Sequence, residues 1–296
     1  MGNLVFITRA NFLPLTAVIV FAGLAAAFYS HRVLNGIDGL LVLAGALLTH
    51  ASVNAFNNYF DYRSGIDRRT KKTPFSGGVE ILVEGKMSPP SAFMVALLSL
   101  VGAGLVGIYF LVRLFNVLLP IVIYGLFVIV LYTPVLAKVH GISEIVAGTG
   151  FGLMGLGTYV TQTGLIDGPG FAVFVPVTIL VALLLFLNEF PDSDVDQAGG
   201  RRHLVILLGK RKAAWVYVAG LAATYISIVL AVLVGSSPIP VLISLATIPI
   251  AYKAGRIALK SYNHAPALVP AQGFNVIMIL LTTLLIGVGY AIAAFV

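Results

Sequence analysis

Residues 170–196 read GFAVFVPVTILVALLLFLNEFPDSDVD. The stretch runs without a charge from Gly170 to Asn188 and then carries Glu189, Asp192, Asp194 and Asp196 within eight positions. As a helix rising 1.5 Å per residue, 170–190 matches the roughly 30 Å hydrocarbon thickness of a bilayer. Carboxylates at the end of such a segment are costly and need a partner that compensates for them, so they mark a candidate site.

Working outward, further apolar segments predict spans over 10–30, 38–61, 91–112, 115–136, 142–163, 212–234, 238–258 and 272–295, nine in all with 170–190. The chain is 59% hydrophobic and 10% charged with mean hydropathy +1.02, against about 25% charged in soluble domains. The expected fold class is therefore all-α, a polytopic membrane protein of about nine helices and a single domain over 1–296. The alternating ten-residue pattern of a β-barrel is absent. So are cysteines, which excludes disulfides, thiolate metal sites and a thiol nucleophile. The first apolar run lacks a strong basic n-region and a clean cleavage site, and it is expected to be retained. No phosphate-binding G-x-x-x-x-G-K-[ST] run exists.

Net charge +7 invites a nucleic-acid reading, but the cations sit in loops between spans. With the N-terminus inside, sixteen of the 18 Lys and Arg fall on the cytoplasmic side and only Arg32 and Arg113 outside. By the positive-inside rule this expects a cytoplasmic N-terminus, both acidic segments cytoplasmic, and the C-terminus outside the cell membrane.

A second acidic segment, Asn57-Asn58-Tyr59-Phe60-Asp61 followed by Asp67, closes the span over 38–61. Asn57 to Asp61 and Asn188 to Asp192 share one spacing, and four spans separate the two segments. This predicts a duplicated four-helix unit, 10–136 and 142–258, with a ninth helix appended. Asn188, Asp192 and Asp196 at i, i+4, i+8 stack on one helix face, as do Asn54, Asn57 or Asn58, and Asp61. Asp67 lies past Gly65, so the chain must turn to present it. Such oxygen donors suit Mg²⁺, which is commonly held by one or two carboxylates plus substrate phosphates. Arg68, Arg69, Lys71 and Lys72 follow Asp67, and Arg201, Arg202 and His203 follow Asp196. They are candidate phosphate contacts, though topology alone explains many of them.

These motifs resemble the UbiA superfamily of intramembrane prenyltransferases, over about residues 10–290. The likeness includes Lys72-Thr73-Pro74-Phe75-Ser76-Gly77-Gly78, and Tyr132-Thr133-Pro134 with Lys138. It extends to Gly157-Thr158-Tyr159-Val160 with Gln162-Thr163-Gly164, and to Gly200-Arg201-Arg202-His203-Leu204 with Leu208-Gly209. The last two are similar to the menaquinone branch, the 1,4-dihydroxy-2-naphthoate polyprenyltransferases. The sequence departs from the commoner first motif, with Asn58 for its first Asp, Gly65 for its last, and Asp67 in substitution. Glu189 stands where that branch often has Asn.

The resemblance implies helices around a central cavity and Mg²⁺ held by Asp61, Asp67, Asp192 and Asp196 with Asn57 and Asn188. It implies a donor isoprenyl diphosphate contacted by Asn57, Arg68, Lys72, Asn188, Arg201 and Arg202, and an aromatic acceptor such as 1,4-dihydroxy-2-naphthoate, as in menaquinone biosynthesis. Tyr132 or Tyr159 would stabilise an allylic cation, with Lys138 among the catalytic group. A non-quinone acceptor such as a glyceryl phosphate is the alternative. A secondary transporter, which would place its acids near the bilayer midplane, is the rival from another class. Membrane lipids are the expected surroundings.

Among smaller features, Asp194 is open between a third ligand and a solvated side chain. Asn54 and Asn58 either tune the first site or cap the helix end. Glu144 is expected to favour a helix N-terminus, and His50 to be a satisfied buried histidine. The run of glycines from Gly148 to Gly157 is expected to serve close helix packing.

Overall fold

The computed structural model describes residues 2–69, 73–75 and 78–296. Among them every regular element is helical. The short α1 (Gly2–Ile7) exposes Leu4, Val5 and Phe6 while burying Ile7, the pattern of a helix lying in a membrane interface. Arg9, in the left-handed region at φ 49°, reverses the chain into a 3-10 turn and α2 (Leu13–His31). α3 (Gly36–Ser64) starts on Asn35, whose side chain accepts from Asp38 N–H at 3.1 Å. It stops at Gly65, whose φ of 78° costs a glycine little.

α4 (Pro89–Leu131) is 43 residues long, about twice what one crossing needs. It breaks at Leu114 (φ −131°, ψ 38°) and folds back on itself. A Cβ placed on Gly107 would lie 3.9 Å from Val122, fifteen positions on, which in a straight helix would be about 22 Å away. The spans expected over 91–112 and 115–136 are thus the two arms of one helical hairpin. α5 (Ser143–Thr163) and α6 (Gly168–Ala198) follow, then the short α7 (Leu204–Leu208), α8 (Lys210–Leu233), a 3-10 stretch (Ile239–Thr247) continuing into α9 (Ile248–Ser261), and α10 (Ala265–Phe295). Seven of the described helical segments are long and apolar enough to cross a membrane by length and composition. With α4 counted as two arms and α5 added, the architecture matches the expected nine.

Lipid-facing packing gains little from apolar burial, so close approach matters more. A Cβ on Gly148 would lie 2.4 Å from the Thr178 carbonyl and one on Gly152 2.0 Å from Thr178 Oγ1, so α5 seats directly on α6 there. Interhelical hydrogen bonds add to this: Tyr217 O–H donates to Asn275 Oδ1 at 3.0 Å and Ser52 O–H to the Ala96 carbonyl at 2.8 Å. At about 0.6 kcal/mol each in membrane helices, such bonds tune register more than they supply stability. The C-terminal ends of α3 and α6 and the N-terminal ends of α2, α5, α8 and α10 meet at one end of the bundle. That end carries both acidic segments. Arg32 and Arg113 sit at the other, where Arg113 pairs with Asp38 at 2.8 Å.

Candidate active site

A cavity of about 270 Å³ opens at the acidic end. Asp61, Asp67, Asp192 and Asp196 all line it, although they come from two helix ends far apart in sequence. Asp61 and Asp196 are carried by helical turns. Asp67 arrives by the turn at Gly65 and is held close to Gly78, where a Cβ would come within 2.3 Å of Asp67 Oδ1. Deeper in, the wall becomes apolar, with Leu15, Val53, Ile129, Phe151, Met154 and Leu184.

Arg201 connects the two acidic segments. Its guanidinium lies 2.5 Å from Asp61 Oδ1 and 3.2 Å from Asp196 Oδ1. Burial alone would lower its pKa, but the two carboxylates outweigh burial and hold it above the ordinary guanidinium value. It therefore stays charged.

Arg9 is the cation that sequence spacing did not single out. It lines the cavity and donates to Asn57 Oδ1 at 3.0 Å and Asn58 Oδ1 at 2.9 Å. Its Nε has no hydrogen-bond partner among the described residues. Burial lowers its pKa, opposed by Asp61 and Asp67. Asn58 Nδ2 donates to the Ile7 carbonyl and Asn54 Nδ2 to the Thr8 carbonyl, at 2.8 and 2.9 Å. Neither amide caps α3: Asn58 is turned to the N-terminal segment, and Asn54 is tied to that segment while also lining the cavity. They pin the N-terminal segment so that Arg9 reaches the cavity. A signal existed: two amides one helical turn apart within an apolar span require partners.

Asn57 and Asn188 line the cavity as expected. Asn57 Nδ2 donates to Asp61 Oδ2 at 3.0 Å, orienting that carboxylate, and Asn188 Oδ1 accepts from Gln272 Nε2 at 3.2 Å. Tyr132 also lines it. Burial first, then nearby Glu189, raises the phenol well above its ordinary pKa, so it is neutral there.

Four of the expected contacts are not brought to this cavity. Tyr159 is fully buried elsewhere, its hydroxyl 3.1 Å from Ser30 and its ring against His31 near the opposite end of α2. Its position on α5, which begins at Ser143, lies more than four turns, about 24 Å, from the acidic end, too far to reach. Lys138 is exposed on a 3-10 turn. Arg68 is exposed and lies over the Tyr62 ring at 5.0 Å. Arg202 turns back to the Arg201 carbonyl at 2.8 Å. Lys72 lies outside the described residues. Asp194 is exposed and pairs with Lys210 at 3.3 Å, the solvated reading of the two left open. Glu144 does more than favour a helix end, since its Oε1 accepts the Leu204 N–H at 2.7 Å. His50 is satisfied by Thr16 at 2.7 Å.

The donor set fits Mg²⁺. Four carboxylates converge on one polar cavity mouth, and hard oxygen donors of this kind are what that ion takes.

The chain matches the model of the UbiA prenyltransferase family over residues 16–276. It is 30% identical over 244 residues to the 1,4-dihydroxy-2-naphthoate octaprenyltransferase of Bacillus subtilis (strain 168), covering 80% of this chain and 76% of that one. Its fold resembles a UbiA homologue from Aeropyrum pernix K1, with TM-score 0.72, 19% identity and coverage of 94% and 97%. It also resembles a UbiA homologue from Archaeoglobus fulgidus bound to DMAPP and Mg²⁺, with TM-score 0.65, 15% identity and coverage of 97% and 99%. A domain match spanning most of the chain, a relative at this identity and an acid-mouthed cavity within a helical membrane bundle lead to one conclusion: the chain belongs to the UbiA prenyltransferase family and is a membrane-embedded prenyltransferase.

Proposed function

We propose that the protein transfers an isoprenyl group from a polyprenyl diphosphate to an aromatic acceptor, 1,4-dihydroxy-2-naphthoate or a close relative, in a Mg²⁺-dependent reaction. The observation that carries this reading is the convergence of Asp61, Asp67, Asp192 and Asp196, with Arg9 and Arg201, on a mouth that continues between apolar walls. A diphosphate with an isoprenoid tail has that same division into a polyanionic head and an apolar body. The relative that supports the acceptor is the octaprenyltransferase of Bacillus subtilis.

Asp61, Asp67, Asp192 and Asp196 would hold Mg²⁺, with Asn57 and Asn188 completing or orienting the set. When bound, the ion supplies positive charge against the diphosphate and makes it a better leaving group. The allylic C–O bond breaks with its electron pair leaving on the diphosphate. Arg9 and Arg201 donate N–H bonds to oxygens on which that charge builds. The apolar wall excludes water that would capture the allylic cation, and the Tyr132 ring offers it a π face. An electron-rich ring carbon of the acceptor then forms the new C–C bond, and the group it carried leaves, as a proton or as CO2 from a carboxylated carbon, which restores the aromatic ring.

The duplication of a four-helix unit accompanies this reading, since it supplies one acidic segment per half. So does the orientation with the acidic mouth in the cytoplasm, favoured by the concentration of Lys and Arg at that end. Labelled prenyl transfer in isolated membranes, with Mg²⁺ and then with EDTA, tests the proposal. Full transfer in EDTA would overturn the metal dependence, and transfer only to a glyceryl phosphate would overturn the acceptor.

A further inference from the structure

Beside the four Asp residues lies a second group of donors that the reaction above does not use. Glu144 stands in the first turn of α5, Glu189 directly after the uncharged part of α6, and His203 immediately before α7. All three are buried, with His203 1% exposed. One ligand atom from each lies within 4.8 Å of the others. Glu189 and His203 line the cavity.

Hydrogen bonding explains the arrangement only in part, through a side-chain hydrogen bond between Glu189 and Glu144. His203 Nδ1 is 3.6 Å from Glu189 Oε2, and His203 Nε2 is 3.4 Å from Asp196 Oδ2. Neither ring nitrogen nor Glu189 Oε2 has a hydrogen-bond partner among the described residues. Buried polar atoms are rarely left so, because each costs free energy. Yet 3.6 Å is close to the ~3.4 Å expected between two donors that share one tetrahedral ion at bonds of about 2.1 Å. The other ring nitrogen faces a carboxylate, the usual outer partner of a metal-ligating imidazole. Glu144 is fixed in place from behind, Oε2 accepting from Ser143 O–H and Oε1 from Leu204 N–H, both at 2.7 Å. Each of its oxygens keeps a lone pair.

We propose that Glu144, Glu189 and His203 form a second cation site, selective for a transition ion of the zinc, cobalt or manganese class over Mg²⁺. An imidazole nitrogen among the donors gives that preference. Three protein ligands leave a position open toward the cavity. A dication there takes the place of the proton that Glu144 and Glu189 share through their side-chain hydrogen bond. The proposal does not depend on the prenyl acceptor, because the site is built from these side chains alone.

The test is Co²⁺ titration of the purified full-length protein in detergent, stripped with EDTA and free of substrate, followed by visible d–d absorption and bound-metal analysis. Co²⁺ should bind with nitrogen ligation, in addition to any held by the Asp set. It should persist in Asp61→Asn/Asp192→Asn, which disables the Asp set, and should be displaced by Zn²⁺ but not by excess Mg²⁺. Glu189→Gln, nearly isosteric, and separately Glu144→Gln should each weaken binding by about 100-fold or more, since even outer-shell changes cost 10- to 100-fold. Thermal unfolding without Co²⁺ checks that the Gln variants fold, and in the Asp61→Asn/Asp192→Asn background Co²⁺ should stabilise the chain only while both glutamates are present. Absence of bound Co²⁺ from Asp61→Asn/Asp192→Asn, or unchanged affinity in both Gln variants, overturns the proposal. In that case one proton shared between the two glutamates satisfies the cluster.

Discussion

Arg201 reaches from the loop after α6 to within 2.5 Å of Asp61 at the end of α3. This one contact joins the two acidic segments, and the same guanidinium holds Asp196 at 3.2 Å. Arg201→Ala would leave both carboxylates buried without their cation. Breaking a buried pair in this way costs about 3–5 kcal/mol, so the unfolding midpoint in detergent should fall. Transfer should drop by about 10²–10³-fold, the range for losing one donor to a developing oxyanion. Arg201→Lys should recover stability better than activity, because one ammonium cannot reproduce a fork to two acceptors. Steady-state kinetics beside a melting curve separates the effects.

Gly78 and Gly65 both hold positive φ, yet they should respond differently. A Cβ on Gly78 would come within 2.3 Å of Asp67 Oδ1, whereas one on Gly65 meets nothing within 4 Å. Gly65→Ala should cost about 1 kcal/mol of stability for its left-handed backbone and leave kinetics nearly intact. Gly78→Ala should also displace the Asp67 carboxylate and raise the Mg²⁺ concentration needed for half-maximal transfer. A Mg²⁺ titration of both variants checks this.

Asp192 and Asp194 are two positions apart but occupy different surroundings. Asp192 lines the cavity, whereas Asp194 is exposed against Lys210. Asp192→Asn should reduce transfer by about 10²-fold or more, as loss of charge stabilisation does. Asp194→Asn should stay within about twofold, since an exposed pair contributes about 0–1 kcal/mol. Equal losses in the two variants would contradict the geometry.

Tyr132 and Tyr159 are distinguished by location in the same way. Tyr132→Leu removes an aromatic face from the cavity and should lower kcat by about tenfold, corresponding to the 1–2 kcal/mol of a cation–π contact. Tyr159→Phe removes the hydroxyl's contacts to Ser30 and Asp167 and should leave kcat unchanged while costing about 1 kcal/mol of stability.

Much of this was legible in the sequence because lipid imposes strong rules. Apolar run lengths gave the spans, and only the hairpin turn at Leu114 merged two of them into one helix. The i, i+4 spacing of Asn57–Asp61 and Asn188–Asp192 marked the polar ends that line the cavity. The cations were harder to place. Arg68, Lys138 and Arg202 sit next to motif residues in sequence, but a loop side chain can turn either way, and these turn outward. Arg9 lies 52 residues before Asp61 and reaches the shared cavity because Asn54 and Asn58 hold the segment after α1 against α3. Tyr159 followed a motif likeness on α5, while the rise of that helix carries it away from the acidic end. Spacing along the chain reports one helix face well and contacts between segments poorly.

The central claim is that the two acidic segments act together on an isoprenyl diphosphate. Its most direct test is labelled prenyl transfer to 1,4-dihydroxy-2-naphthoate in membranes carrying the wild-type protein or the Asp61→Ala/Asp192→Ala double variant, each with Mg²⁺ and with EDTA. Transfer should occur only for the wild type with Mg²⁺. Undiminished transfer by the double variant, or by the wild type in EDTA, would contradict it.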